Sequence, residues 1–245
     1  ARFDVFPQIV GNEKIKLRQI CEGATLSVFP RVSFIKGAFI AGVTQATQVT
    51  RFQENERMNG YEAIAKILKQ EGVEWMACFP ANPLIEAIAK EGIKPFVFRQ
   101  ERSGIMAADG FSRMMAREGK FGVFACQGGP GIENAFGGIA QASSEGVPII
   151  FLPDGPGVGV TPTSPNFSGP DNFRFITKWA QSVTHAERIP GQMRQALSIM
   201  KNGRPGPVML EMQRDVMGNE VSSLDDFRSP KRYVAAPDKS DLRAA

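Results

Sequence analysis

The stretch FGVFACQGGPGIENAFGGIAQASSEGVPIIFL, Phe121 to Leu152, decides the fold. A short apolar run, Gly122–Cys126, meets a glycine turn. The turn opens a helix over Gly131–Ser144, and a second apolar run, Pro148–Leu152, follows. Two strands joined through a helix of this length are a parallel pair, because a hairpin needs only a few connecting residues. The strands are apolar throughout rather than alternating, so both of their faces are covered.

The same alternation extends outward in both directions. Upstream, the spacing predicts a helix over Gly60–Glu71, capped by Asn59 and carrying Ile64, Ile67 and Leu68 on one stripe. A strand over Val73–Phe79 follows, then the loop Pro80-Ala81-Asn82-Pro83, a helix over Leu84–Glu91, a strand over Lys94–Arg99 and a helix over Arg102–Arg117. Downstream, a long Pro/Gly/Ser loop reaches about Asp171. A helix over Asn172–Ala180, a strand over Ser182–His185, a helix over Pro190–Lys201 and a strand over Pro207–Met212 complete the pattern. The fold class is α/β: a doubly wound, mainly parallel sheet with helices on both faces. Ligands of such sheets bind beyond the carboxyl ends of the strands. Phe79-Pro80, Gln100-Glu101, Gln127-Gly128 and Pro153-Asp154 fall at those ends and form one candidate rim.

Composition narrows the function classes. The chain has 245 residues, is 42% hydrophobic and carries a formal charge of +4, with basic and acidic residues interleaved. That pattern carries no nucleic-acid footprint. The three cysteines, Cys21, Cys78 and Cys126, are too scattered for a disulfide framework or a metal site, so a reducing cytoplasm is expected. No apolar run is long enough to cross a membrane as a helix. SVFPRVSF and GAFIAGV are too short and too polar in their flanks for a signal peptide.

Residues 1–57 hold neither period and end in the charged run RFQENER. Met58 is expected to be the native start, with an irregular leader or upstream read-through before it; a genuine N-terminal extension is the alternative. The domain is expected over 58–216. Residues 217–245 read as a polar linker, and PDKSDLRAA at its end as the first turn of a further helix, capped by Ser240 or Asp241 with Leu242 on its apolar face.

Few residues qualify as chemistry-bearing. Glu101 sits between a strand end and a helix start, where a carboxylate either stabilises the first turn or serves as a buried acid. Burial disfavours its charge, whereas the helix terminus, Arg99 and Arg102 favour it. Gly104, Ala107, Ala108, Phe111 and Met115 share one face of the following helix, for close packing on the sheet or across a subunit interface. Gly129-x-Gly131 followed by Asn134 is a weak match to a dinucleotide fingerprint, and its plain reading is a turn that lets backbone approach a flat or anionic group. The single histidine, His185, fits a structural or surface role better than a catalytic triad. No GxSxG, HExxH or GxxxxGK[ST] motif occurs.

Three ordered segments, VFRQERSGIMAADGFSRM, GVFACQGGPGIENAFGGIAQASSEGVPIIFL and NGRPGPVMLEMQRDV, together resemble the N-terminal pyrimidine-binding domain of thiamine-diphosphate enzymes, most closely the acetolactate synthase group. The resemblance covers roughly Met58–Val216. It implies that Glu101 hydrogen-bonds N1′ of the cofactor's aminopyrimidine and is the catalytic acid. It also implies that Gly129, Pro130, Gly131 and Asn134, matching GPG-x-x-N, line the pyrimidine pocket together with Pro80, Ala81 and Asn82. The family places Ser or Thr where this chain has Gln127-Gly128, and a glycine near Ala81-Asn82. The implied activity is that of a transferase or lyase acting on 2-keto acids with thiamine diphosphate and Mg2+. The metal is held by a domain bearing GDG and NN, neither of which occurs here, so no residue of this chain is a metal ligand. The implied partner is a second subunit, in a homodimer or homotetramer, and the chain alone is expected to be inactive. Two alternatives stand beside this reading. One is the α-subunit of a two-chain decarboxylase of the sulfopyruvate or phosphonopyruvate type, with a diphosphate-binding partner chain. The other is a non-catalytic nucleotide-binding domain.

Overall fold

A computed structural model describes residues 57–80, 82–160, 167–233, 236 and 238–244. The readings made for residues 1–56, for Ala81 and for 161–166 lie outside the described residues.

Six strands form one all-parallel sheet: β2 (Trp75–Cys78), β3 (Lys94–Val97), β4 (Gly122–Cys126), β5 (Ile149–Gly155), β6 (Trp179–Val183) and β7 (Val208–Gln213), in the spatial order β3-β2-β4-β5-β7-β6. The chain runs from β2 outward to β3 and then returns to place β4 on the other side of β2. The carboxyl ends of β2 and β4 therefore flank a crevice where the winding reverses, the position at which such sheets bind ligands.

Helices cover both faces. On one side lie α1 (Gly60–Gln70), α2 (Leu84–Lys90), α6 (Ile189–Lys201) and α7 (Arg214–Met217), around Ile64, Leu68, Ile88, Leu152, Met193 and Leu210. On the other lie α3 (Glu101–Met115), α4 (Pro130–Glu145) and α5 (Gly169–Phe173), around Ile105, Phe124, Ile132, Phe151 and Phe173. Phe124 and Phe151 stack at 5.8 Å between ring centres, a contact that adds about 1 kcal/mol to their burial. Asn59 caps α1 with a reciprocal pair: its side chain accepts from the Glu62 N–H, and its own N–H donates to Glu62 Oε2, both at 3.0 Å. Among the described residues no helix is long and apolar enough to cross a membrane.

Three sequence expectations need correction. The helix expected over Asn172–Ala180 is a single turn, α5, that starts at Gly169 and ends at Phe173. Phe173, Ile176 and Ala180 mimic a helical stripe. Thr177 instead caps the turn by donating to the Phe173 carbonyl, and the Lys178 N–H pairs with the Pro207 carbonyl, so the strand opens at Trp179 rather than Ser182. Strand β5 runs past Leu152 to Gly155. Pro153, which reads as a terminator, faces Cys126 where the ladder to β4 ends, and β7 goes on pairing with Asp154 and Gly155. The final helix, α8 (Lys239–Ala244), is capped by Asp238, whose carboxylate accepts from the Ser240 N–H at 2.7 Å, and not by Ser240 or Asp241.

Beyond α7 the chain pairs β8 (Glu220–Val221) antiparallel with β1 (Met58–Asn59), and Val221 and Phe227 are buried in the α1/α6 core.

Candidate functional site

Close glycine contacts set the height of α3 above the sheet. A Cβ on Gly104 would lie 2.3 Å from the Phe124 ring, and one on Gly122 would lie 2.3 Å from the Ala108 carbonyl oxygen. Gly138 gives Ile105 the same clearance, which brings α4 against α3. Ser112 then bridges three elements. Its hydroxyl accepts from the Gly122 N–H and donates to the Pro148 carbonyl, each at 2.7 Å. Of the small-residue face, Gly104 and Ala108 are buried against this domain's own sheet. Ala107 is half-buried, as is Phe111, which meets Trp75 edge-on at 5.1 Å.

This packing brings the first residue of α3 to the first turn of α4. Glu101 is 2% exposed, and its Oε2 accepts from Asn134 Nδ2 at 3.2 Å. Its other oxygen, Oε1, lies 3.4 Å from where a Cβ on Gly131 would sit. A Cβ there would also meet Gln127 Cγ at 2.8 Å and Cys126 Sγ at 3.3 Å, so glycine lets the start of α4 pack closely beside the carboxyl. Gly129 turns the chain at φ +59, a conformation that favours glycine, and Pro130 opens α4 at its first position, where no N–H is needed. The Cys126 thiol beneath this turn is held well above its ordinary range by burial, then by Glu101 and Asp154, so it stays protonated.

Glu101, Gly131 and Asn134 are thus brought into one group, with Gly129 and Pro130 forming its wall. Asn82 is placed nearby but is occupied. Its Nδ2 donates to the Cys126 carbonyl at 2.9 Å and to the Leu152 carbonyl at 3.4 Å, and its Oδ1 accepts from the Leu84 N–H at 2.9 Å. It ties the end of β4 and the middle of β5 to the start of α2. Pro80 is exposed and lines an open groove of about 630 Å³ with Asn82, Pro83, Ile85, Glu86 and Val97. Ala81 lies outside the described residues. His185 is exposed at the start of a short turn.

Two buried carboxyls at the same rim escaped the sequence reading as chemistry. Asp154 is 1% exposed, faces Tyr61 and Arg214, and is pushed up to about 7 by burial, which outweighs the opposing effects of Arg214 and Tyr61. Glu211 is equally buried on the opposite face and is also raised, mainly by burial. Period-two alternation along β5 and β7 is the signal that could have found them: Asp154 shares a face with Ile150 and Leu152, and Glu211 shares one with Met209.

Asp154 carries a pH prediction. In the unfolded chain it ionises near 3.8, whereas in the folded protein it keeps its proton to about 7. Between those values the unfolded state holds fewer protons, so stability falls as pH rises across the window, by on the order of 4 kcal/mol in total. Asp154→Asn is expected to remove this contribution. Urea unfolding at pH 4, 6 and 8 should show the variant gaining steadily on the wild type as pH rises, and a difference that does not change with pH would contradict the assignment.

Comparison with known proteins adds to the geometry. Residues 58–171 match the family described as thiamine pyrophosphate enzyme, N-terminal TPP binding domain. A probable acetolactate synthase large subunit of Methanocaldococcus jannaschii is 34% identical over 176 residues, which are 67% of this chain and 28% of that protein. Acetolactate synthase 2, chloroplastic, of Nicotiana tabacum is 31% identical over 199 residues, 76% of this chain and 28% of its own length. The acetolactate synthase large subunit of Haemophilus influenzae is 27% identical over 202 residues, 77% of this chain and 32% of its own length. The chain thus spans about three-tenths of these curated relatives.

Proposed function

Residues 58–171 belong to the family of thiamine pyrophosphate enzyme N-terminal TPP-binding domains, and from that premise we propose that Glu101 is the acid that engages the cofactor's pyrimidine, in an enzyme acting on 2-keto acids. The observation that carries this reading is the Glu101–Asn134–Gly131 group: a carboxyl 2% exposed at the rim, with one oxygen on the Asn134 amide and Gly131 packed beside the other.

The residues fit the pyrimidine end of the group. The carboxyl of Glu101 would hold N1′ of the aminopyrimidine and share a proton there, so that basicity is transmitted to the amino nitrogen across the ring. Asn134 fixes one carboxyl oxygen and leaves the other for this bond. Gly129, Pro130 and Gly131, at the start of α4, would line the pocket with backbone and leave room for the ring. Pro80, Ala81 and Asn82 would bound the far side of the crevice. Asn82 would act by holding the end of β4 against β5 and α2, since its amide is already bonded to backbone. Bound in this way, thiamine diphosphate supplies an acidic C–H and an electron sink for breaking the bond beside a keto group.

The diphosphate and its Mg2+ belong, in this reading, to a segment other than this one, in a second subunit or partner chain. Apolar side chains on the outer face of α3 and α4 support a site completed by another protein surface: Met106, Met114 and Phe136 are 36%, 81% and 39% exposed. A cytoplasmic homodimer or homotetramer of the acetolactate synthase type is the assembly proposed. The test is a titration of thiamine diphosphate and Mg2+ into the full-length protein, with carbon dioxide release from pyruvate as the second readout. Saturable binding with release is expected, and failure to bind the cofactor would overturn the reading.

A further inference from the structure

The carboxyl end of β7 does more than end a strand. Glu211 and Gln213 of β7 and Asp215 in the first turn of α7, at alternate positions, each meet a glycine at one of the two stems of the segment joining β5 to α5. Gln213 is 1% exposed, and its Oε1 accepts from the Gly157 N–H at 2.8 Å. A Cβ on Gly155 would lie 2.6 Å from that same oxygen. Asp215 Oδ1 accepts from the Val158 N–H at 3.0 Å, and Gly157, at φ +113, passes its carboxylate closely. Glu211 Oε2 accepts from Ser182 Oγ and from Gln213 Nε2, both at 2.7 Å, and Oε1 is buried without a hydrogen-bond partner among the described residues. A Cβ on Gly169 would lie 2.6 Å from Glu211 Oε1. The end of β7 and the first turn of α7 therefore hold the stem at 155–158 by hydrogen bonds, Glu211 packs directly against the stem at 169, and the Glu211–Gln213 bond couples the two.

Core packing alone does not call for this arrangement. A buried carboxyl and a buried amide cost more to desolvate than apolar residues of the same size, and they persist where they fix a geometry. We propose that Glu211, Gln213 and Asp215 form a clamp that sets the position of both loop stems at the rim, and thereby the discrimination among 2-keto acids at the Glu101 site. The second half of this proposal rests on the function proposed above. All three are positioning residues: they act through the loop backbone.

The clamp is testable without any ligand. Amide hydrogen exchange of the 245-residue chain, followed in peptides covering 155–160 and 167–173, should rise roughly tenfold in the first peptide for Asp215→Ala, since a hydrogen bond to a charged acceptor is lost. Asp215→Asn, which keeps an acceptor oxygen, should restore most of the protection. Gln213→Ala should raise exchange in both peptides, because it uncouples Glu211 as well. Asp215 is exposed, so its variants are expected to fold. Unchanged exchange in Asp215→Ala, or an effect of Gln213→Ala confined to 155–160, would overturn the clamp. In the full-length protein, Asp215→Ala should raise KM for the keto acid severalfold while thiamine diphosphate affinity stays within about twofold of wild type. Altered exchange with unchanged KM would remove the role in discrimination and leave the clamp. Loss of cofactor binding in the wild type would instead remove the proposed function, and the exchange data would still decide the clamp.

Discussion

Glu101→Gln should leave the fold intact and lower turnover of the full-length protein by roughly 10²- to 10⁴-fold, the range set by loss of a positioned acid–base group. Glutamine matches glutamate in length and volume, and its amide oxygen can still accept from Asn134, so the contacts that hold the head of α3 survive. It has no proton to share with N1′. Glu101→Asp fails differently, because the acid remains and the reach is lost. Two measurements separate these from general damage: the rate of deuterium exchange at C2 of bound thiamine diphosphate, and the thermal midpoint. The expected result is a large fall in exchange for both variants with midpoints within a few degrees of wild type. A normal exchange rate in Glu101→Gln would end the assignment, whatever happens to turnover.

The largest effect on stability is expected from Gly122→Ala. The added methyl would sit 2.3 Å from the Ala108 carbonyl oxygen, 2.7 Å from its carbonyl carbon and 2.8 Å from its Cα. All three are backbone atoms in the middle of a helix, opposite the start of an interior strand, so no side chain can swing aside. Relief requires α3 to lift from the sheet. That movement breaks the Gly122–Ser112–Pro148 hydrogen bonds and opens the Gly104 contact on Phe124. Overpacking in cores typically costs about 1–3 kcal/mol, and the buried hydrogen bonds add to it, so the expectation is roughly 3 kcal/mol or more. Denaturant unfolding provides the measurement. A loss below about 0.5 kcal/mol would mean that α3 is not seated by this contact. The same displacement should weaken any ligand bound at Glu101, since that residue begins the helix that moves.

The sheet and most of the helices were legible in the sequence because each is written locally, whereas the grouping of Glu101 with Gly131 and Asn134 came from the resemblance and spans 33 residues of chain. Apolar runs such as PIIFL define buried strands by composition, and the GPG-x-x-N turn places its own residues through one glycine at positive φ and one proline at a helix start. Features that depend on register were not legible. Asp154 reads as a loop residue unless β7 is known to pair with it, and only then does its side chain point at Tyr61 and Arg214. The partnership of Asn82 with two carbonyls requires the end of β4 to lie beside Leu152 of β5. The segment after Phe173 misled for the opposite reason: its apolar spacing fits a helix, and the edge of β7 captured it as a strand.

The pairing of Met58 with Val221 has a mechanical consequence. Met58 and Val221 lie side by side in an antiparallel ribbon of two residues on each side, and the chain beyond it stays on the domain through the buried Phe227. A load pulling apart the flanks at 57 and 222 would peel this ribbon open one rung at a time, as a zipper does, and would not shear the sheet behind it. The ribbon yields before the six-stranded sheet does, and the rim beside Glu101 is spared the strain.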